Sequence, residues 1–176
     1  MKIFKRIILL AVLGALAFWL WTVFFPNDEK LIREHLAKTA HAASFSGSQS
    51  PIAQLGSVAE FSTFFSPDVE LDFELPRQGH FTLQGRGEVM AVAARVRERS
   101  SALKVDFLDV TVQLGDDHES ATAVLTARAQ VPGERDFSVQ EMKFSLKKTK
   151  RRWFINRVET VKTLTALPLS DSWPAL

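Results

Sequence analysis

The sequence predicts an α+β domain of three helices packed on a curved, mostly antiparallel sheet, placed behind one N-terminal transmembrane helix. Three observations carry this expectation. Residues 7–25 are apolar and uncharged. Three later stretches repeat their apolar residues at the helical period and are separated by Ser, Gly and Pro. From Val69 onward the apolar period drops to two, the spacing of a strand with one buried face.

The apolar run IILLAVLGALAFWLWTVFF would span about 28 Å as a helix, close to the ~30 Å hydrocarbon core of a bilayer. Lys2, Lys5 and Arg6 precede it, and Asn27, Asp28 and Glu29 follow Pro26. The positive-inside bias then makes residues 1–6 a cytoplasmic tail and leaves the domain extracytoplasmic, periplasmic in a bacterium. Trp19 and Trp21 fall toward the outer end, where indoles favour the interface. Ala15-Leu16-Ala17 also resembles a signal-peptide cleavage site. Cleavage there would leave Phe18-Trp19-Leu20-Trp21 at a water-exposed terminus, so the span length favours a retained anchor.

With 176 residues there is room for this anchor and one domain. An apolar fraction of 46% and a charged fraction of 24% allow that domain a core of its own. The net charge of +2 gives no basic face for nucleic acid. The lack of cysteine excludes disulfides, thiolate metal sites, cysteine nucleophiles and a lipid-modified cysteine. The lack of tyrosine removes a common catalytic acid.

Asp28 is placed to cap a first helix whose stripe is Leu31, Ile32, Leu36, Ala40 and Ala43, with His35 at its border. After the Ser/Gly-rich break at 44–50, Ser50-Pro51 opens a second helix. Its expected inner face is Ile52, Leu55, Val58, Ala59, Ser62 and Phe65, and Ser66-Pro67-Asp68 ends it. A strand follows with Val69, Leu71, Phe73 and Leu75 on one face and Glu70, Asp72 and Glu74 on the other. Residues 76–79 turn into a short return strand marked by Phe81 and Leu83, which Gly85-Arg86-Gly87 breaks. A third helix then turns Val89, Val92, Ala93 and Val96 inward and Arg95, Arg97, Glu98 and Arg99 to solvent.

Within 104–114 the alternation of Val105 and Phe107 jumps phase to Leu108, Val110, Val112 and Leu114, which predicts a bulge near residues 107–109. After a turn at 115–117, Ala121, Ala123, Leu125, Ala127, Ala129 and Val131 form a face of small residues on which a helix can pack closely. Residues 132–134 turn. Phe137 and Val139 then jump phase to Met142, Phe144 and Leu146, predicting a second bulge. Residues 147–152 read as a basic turn and 153–161 as a shorter last strand. The domain is expected to cover 28–162, with 163–176 as a C-terminal tail.

This order of elements resembles the NTF2-like (SnoaL-like, cystatin-cone) superfamily over roughly residues 28–162. The matching pieces are Phe65-Ser66-Pro67-Asp68-Val69-Glu70-Leu71, then Leu83-Gln84-Gly85-Arg86-Gly87-Glu88-Val89, then the closing Arg152-Trp153-Phe154-Ile155-Asn156-Arg157-Val158-Glu159. Their joint order carries the resemblance, which implies a cone of three helices on a bent sheet and says little about chemistry. Enzymes of this superfamily, such as ketosteroid isomerases, hold an acid on the first strand inside an apolar cone. Alignment on Ser66-Pro67-Asp68 puts that position at Phe73, with Asp72 one residue away and on the opposite face.

The candidate bases are therefore Asp72 and His35, and the candidate pocket-lining residues are His35 and Phe73. Asp72 also reads as part of a solvated strand face with Glu70 and Glu74, and His35 as a hydrogen-bonded structural histidine. His35, His41, His80 and His118 lack metal-site spacing, so neither metal nor cofactor is expected. Lys147, Lys148, Lys150, Arg151 and Arg152 form the densest cation cluster, either a solvated hairpin turn or a contact for anionic headgroups or an acidic partner. Two functions remain open. One is a non-catalytic anchored module that binds a partner protein, a second copy of itself or a small apolar ligand. The other is a lyase or isomerase for a small apolar molecule.

Overall fold

In the computed structural model, which describes residues 27–47, 50–75, 79–131 and 137–166, Asn27 rather than Asp28 caps the first helix. Its side chain accepts from the Lys30 N–H at 3.1 Å, satisfying one of the free donors at the helix start. The expected anchor at 7–25, the turns at 76–78 and 132–134 and the tail beyond residue 166 lie outside the described residues. Among the described residues no helix is long and apolar enough to cross a membrane.

Helix α1 (Asp28–Ala43) buries Ile32, Leu36, Thr39 and Ala40, while Leu31 stays 38% exposed. A two-residue strand β1 (Phe45–Ser46) follows, then α2 (Pro51–Ser62) with Ser50 as its N-cap. The inner face of α2 differs from expectation. Val58 and Ser62 are buried, but Ile52 and Leu55 stand 83% and 70% exposed. The helix is apolar on both faces, and periodicity alone cannot choose between them.

Strand β2 (Phe65–Leu75) begins earlier than the alternation predicts, taking in Ser66-Pro67-Asp68. Proline lacks an N–H for the ladder, and the pairing of β2 with the last strand slips between Phe65 and Glu70. Strand β3 (Gly79–Gln84) leads directly into α3 (Gly85–Arg99), so Gly85-Arg86-Gly87 starts the helix rather than preceding it. Gly85 has φ +79° and faces the Pro67 carbonyl, a backbone shape that L side chains rarely adopt. Arg97 corrects a second expectation. It is 7% exposed and donates to the Ala42 carbonyl at 2.9 Å, capping the C-terminal end of α1 from α3.

Strands β4 (Ala102–Leu114), β5 (Ser120–Gln130), β6 (Phe137–Thr149) and β7 (Arg152–Ala166) complete the fold. The sheet order is β1-β4-β5-β6-β7-β2-β3, with β2 and β7 parallel and every other pair antiparallel. The first bulge falls where expected. Register shifts between Leu108 and Thr111, and Asp109 takes φ +52°. Because the extra residue comes after Leu108, Val110 and Val112 join Phe107 on the core while Leu108 stays exposed; Leu114, at the strand's end, is exposed as well.

The second phase jump has another cause. β6 pairs with β5 without interruption, and Gln140 occupies the core stripe ahead of Met142, Phe144 and Leu146. Gln140 tolerates burial by donating to the Glu74 carbonyl at 3.1 Å. The irregularities lie on β7, where Asn156, Val161 and Leu164 are left out of the β6–β7 pairing. These extra residues bend the sheet around its contents. They also let β7 run to Ala166, beyond the end expected for the domain.

The concave side holds one apolar cluster in which Ile32 and Leu36 from α1 join Val69, Leu71, Ala123, Leu125, Phe144, Leu146, Ile155 and Val158 from the sheet. Ile32, Leu36, Val69, Ala123 and Ile155 are fully buried, and each of the larger ones contributes about 1.5–3 kcal/mol by leaving water.

Candidate functional site

Phe73 points into the cone, half-buried against this cluster and paired with Phe81 across β2–β3. An apolar ring thus occupies the position where the resemblance puts a catalytic acid. His35 lies half-buried at the edge of the α1 stripe. Its Nε2 is 3.2 Å from the Phe64 carbonyl, and its ring meets the Phe64 ring edge-on at 5.2 Å. The same carbonyl accepts the Ile155 N–H at 3.0 Å, so His35 ties α1 to the junction of α2, β2 and β7. Burial pulls the His35 pKa below its ordinary value of 6.5, against the raising effect of the Phe64 hydrogen bond, and nearby Arg152 and Lys38 lower it further.

The other buried polar side chains among the described residues behave alike. Thr39 donates to the His35 carbonyl at 2.9 Å, Ser62 to Ala59 at 2.7 Å, Gln140 to Glu74 and Arg97 to Ala42. Each uses a donor on main-chain oxygen, while Arg97 Nε and Asn156 Oδ1 are buried without a partner.

Asp72 lies on the opposite face of β2, within 3.2 Å of His80 Nε2 on β3. Beside it Glu70 meets Arg157 at 2.7 Å, Arg157 meets Glu159 at 2.7 Å and Glu159 meets Lys143 at 3.5 Å. The hydrogen bond from Arg157 holds the Glu159 carboxyl below its ordinary pKa, and the same bond raises Arg157. This is a charged lattice across four strands of the outer face, β3, β2, β7 and β6. It separates Asp72 from His35, so the two candidate bases do not share a site.

The basic turn divides in two. Lys148 is drawn inward, its Nζ 2.8 Å from both carboxylate oxygens of Asp28, while the Trp153 indole N–H donates to Asp28 Oδ1 at 3.2 Å. The Lys148 and Asp28 side chains are only 22% and 14% exposed, and the lysine also sits 5.5 Å from the Trp153 ring centroid. Lys147, Lys150, Arg151 and Arg152 remain exposed at the tip. Lys150 and Arg151 both take positive φ, 49° and 67°, in a two-residue hairpin loop whose twist favours Asn-Gly.

Sequence reasoning missed Asp28, Trp153, Arg97 and Gln140 as parts of these arrangements. Asp28 and Lys148 are 120 positions apart, and only the docking of α1 across the sheet brings them together. Among the described residues no group of three or more His, Asp or Glu side chains is placed to hold a metal ion.

No protein-family profile matches the chain, and no curated protein matches it. Solved structures do. An NTF2-like protein with a cystatin-like fold from Novosphingobium aromaticivorans superposes with a TM-score of 0.58 at 19% identity, covering 89% of this chain and 92% of that one. A provisionally assigned scytalone dehydratase from the same organism gives 0.56 at 13% identity, with 78% and 85% coverage. The yeast UBP3-associated protein BRE5 gives 0.59 at 12%, with 79% and 100% coverage. At these identities the likeness establishes the fold alone: an α+β cystatin-like cone of the NTF2-like kind.

Proposed function

We propose that the chain is a membrane-anchored, extracytoplasmic NTF2-like module that binds a partner protein or a small apolar ligand and performs no chemistry itself. The observation that carries this reading is the use made of the buried polar groups. His35, Thr39, Ser62, Arg97 and Gln140 all engage main-chain carbonyls, and Asp72 lies on the far face from the cone. A general base works best when a carboxylate orients it; among the described residues no carboxylate bonds to His35, whose Nε2 is spent on the Phe64 carbonyl and which keeps only Nδ1 as an acceptor. Ile52 and Leu55, exposed about one helical turn apart on α2, supply apolar surface for a partner.

A second reading rests on the likeness to the provisionally assigned scytalone dehydratase: a lyase or isomerase that uses His35 or Asp72 as base. Affinity capture of the full chain from detergent-solubilised membranes tests the first reading, which expects one partner or a second copy at stoichiometric amount. Turnover of a small apolar substrate that disappears in either His35→Ala or Asp72→Ala would overturn it in favour of the second.

A further inference from the structure

We infer that the exposed tip of the β6–β7 turn is a contact for anionic phospholipid headgroups in the leaflet from which the anchor emerges. This rests on the anchored reading above and deepens it by naming the surface that the domain meets. Asp28 is the first residue of α1, three positions beyond Phe25, the last residue of the apolar run. Three residues reach at most about 11 Å. The Asp28 carboxylate is held by Lys148 at 2.8 Å and by the Trp153 indole at 3.2 Å, and these two residues flank the turn. On the anchored reading, α1 would then start within that reach of the bilayer, and its first residue is fastened to the base of this hairpin.

The tip itself presents Lys147, Lys150, Arg151 and Arg152, all exposed; among the described residues none forms an ion pair within 4.0 Å, though Lys147 lies near enough to Asp68 to attract its carboxylate and Arg152 sits 5.4 Å from the Phe154 ring centroid. Lys150 and Arg151 hold left-handed backbone conformations where a turn-forming Asn-Gly would be unstrained. Two cations thus occupy positions that local backbone energetics do not favour, which points to use of their charge. The neighbouring β4–β5 turn carries Asp116, Asp117 and Glu119, and the Glu119 carbonyl accepts the Lys148 N–H at 2.7 Å. Those acids confine the attraction to close contact at the tip, within a Debye length of about 8 Å. Near an anionic membrane each cation strengthens association about fivefold.

The absence of native cysteine allows a single reporter. The full chain bearing Thr149→Cys, labelled with an environment-sensitive fluorophore, is reconstituted into phosphatidylcholine vesicles with or without phosphatidylglycerol. Acrylamide quenching should fall at least about twofold in the anionic vesicles. The protection should vanish at high salt and fall back to the level seen without phosphatidylglycerol in Lys150→Asn/Arg151→Gly, which removes two of the four tip charges, about 25-fold in association, while supplying the residues that the turn prefers. Equal quenching in both vesicles, or protection that survives the double substitution, overturns the headgroup contact while leaving the anchor standing. Release of the chain by alkaline carbonate would instead remove the anchor reading and this contact with it.

Discussion

Replacing Asp28 by asparagine should destabilise the domain by about 2–3 kcal/mol. The carboxylate accepts two contacts from Lys148 at 2.8 Å and one from the Trp153 indole at 3.2 Å. Removing one partner of a fully buried ion pair costs about 3–5 kcal/mol, whereas an exposed pair contributes about 0.2–1 kcal/mol. With side-chain exposures of 14% and 22% this pair lies nearer the buried limit but short of it. The substituted amide would keep one acceptor for the indole and lose the charge that offsets the lysine. For a domain of this size the loss amounts to roughly 6–12 °C in Tm. Lys148→Met should cost a similar amount. The double variant should cost about 1–2 kcal/mol less than the sum, because the second change no longer strands a partner. Thermal unfolding of the full chain in detergent, followed by near-ultraviolet circular dichroism, reads this out, since Trp153 is 4% exposed and rigidly held. A loss below about 0.5 kcal/mol for Asp28→Asn, or strict additivity in the double variant, would refute the clamp.

His35 has a folded-state pKa below its ordinary 6.5, so the unfolded chain takes up its proton first. Its contribution is fully present above that ordinary value and is lost as pH falls toward the lowered folded value. Denaturant melts should therefore weaken below about pH 6.5 in the native chain, and this slope should flatten in His35→Gln. Arg97→Met should cost about 1.5–3 kcal/mol in the same melts, since it strips the charged donor from the Ala42 carbonyl and the cation set 5.1 Å from the Phe45 ring centroid. Ala123→Leu should destabilise by about 1–3 kcal/mol, because Ala123 is fully buried within the α1–sheet cluster. A Tm unchanged within error would show instead that the space over Ala123 is open.

Much of the fold was legible because its signals are local. Ser50-Pro51 marked a helix start, the alternation Val69, Leu71, Phe73 marked the buried face of β2, and the jump after Phe107 marked a bulge. Errors arose where tertiary partners override the pattern. Gln140 looked like a phase break because a buried glutamine needs Glu74, far off in sequence, to accept from it. Arg97 looked solvated because its acceptor belongs to another helix. Ile52 and Leu55 looked buried because an apolar helix has no polar side to betray its exposed one. In the candidate site, the alternation placed Asp72 and Phe73 on opposite faces. No local signal joined Lys148 to Asp28 or His35 to the Phe64 carbonyl.

The pairing of β2 with β7 also sets a timetable. Phe65 waits for Ile155 and Glu70 for Arg157, so one edge of β2 has no partner until synthesis has passed Arg157. At ordinary synthesis rates of about 5–20 residues per second, that interval lasts on the order of 5–20 s, far longer than a hairpin takes to form. A bare strand edge held open that long invites pairing with a neighbouring nascent chain. Glu70, Asp72 and Glu74, repeated along one side of β2, supply like charges that repel a second copy of the same strand. The outer-face acids that finish as partners of Arg157 and His80 would then serve first as guards of an unfinished sheet.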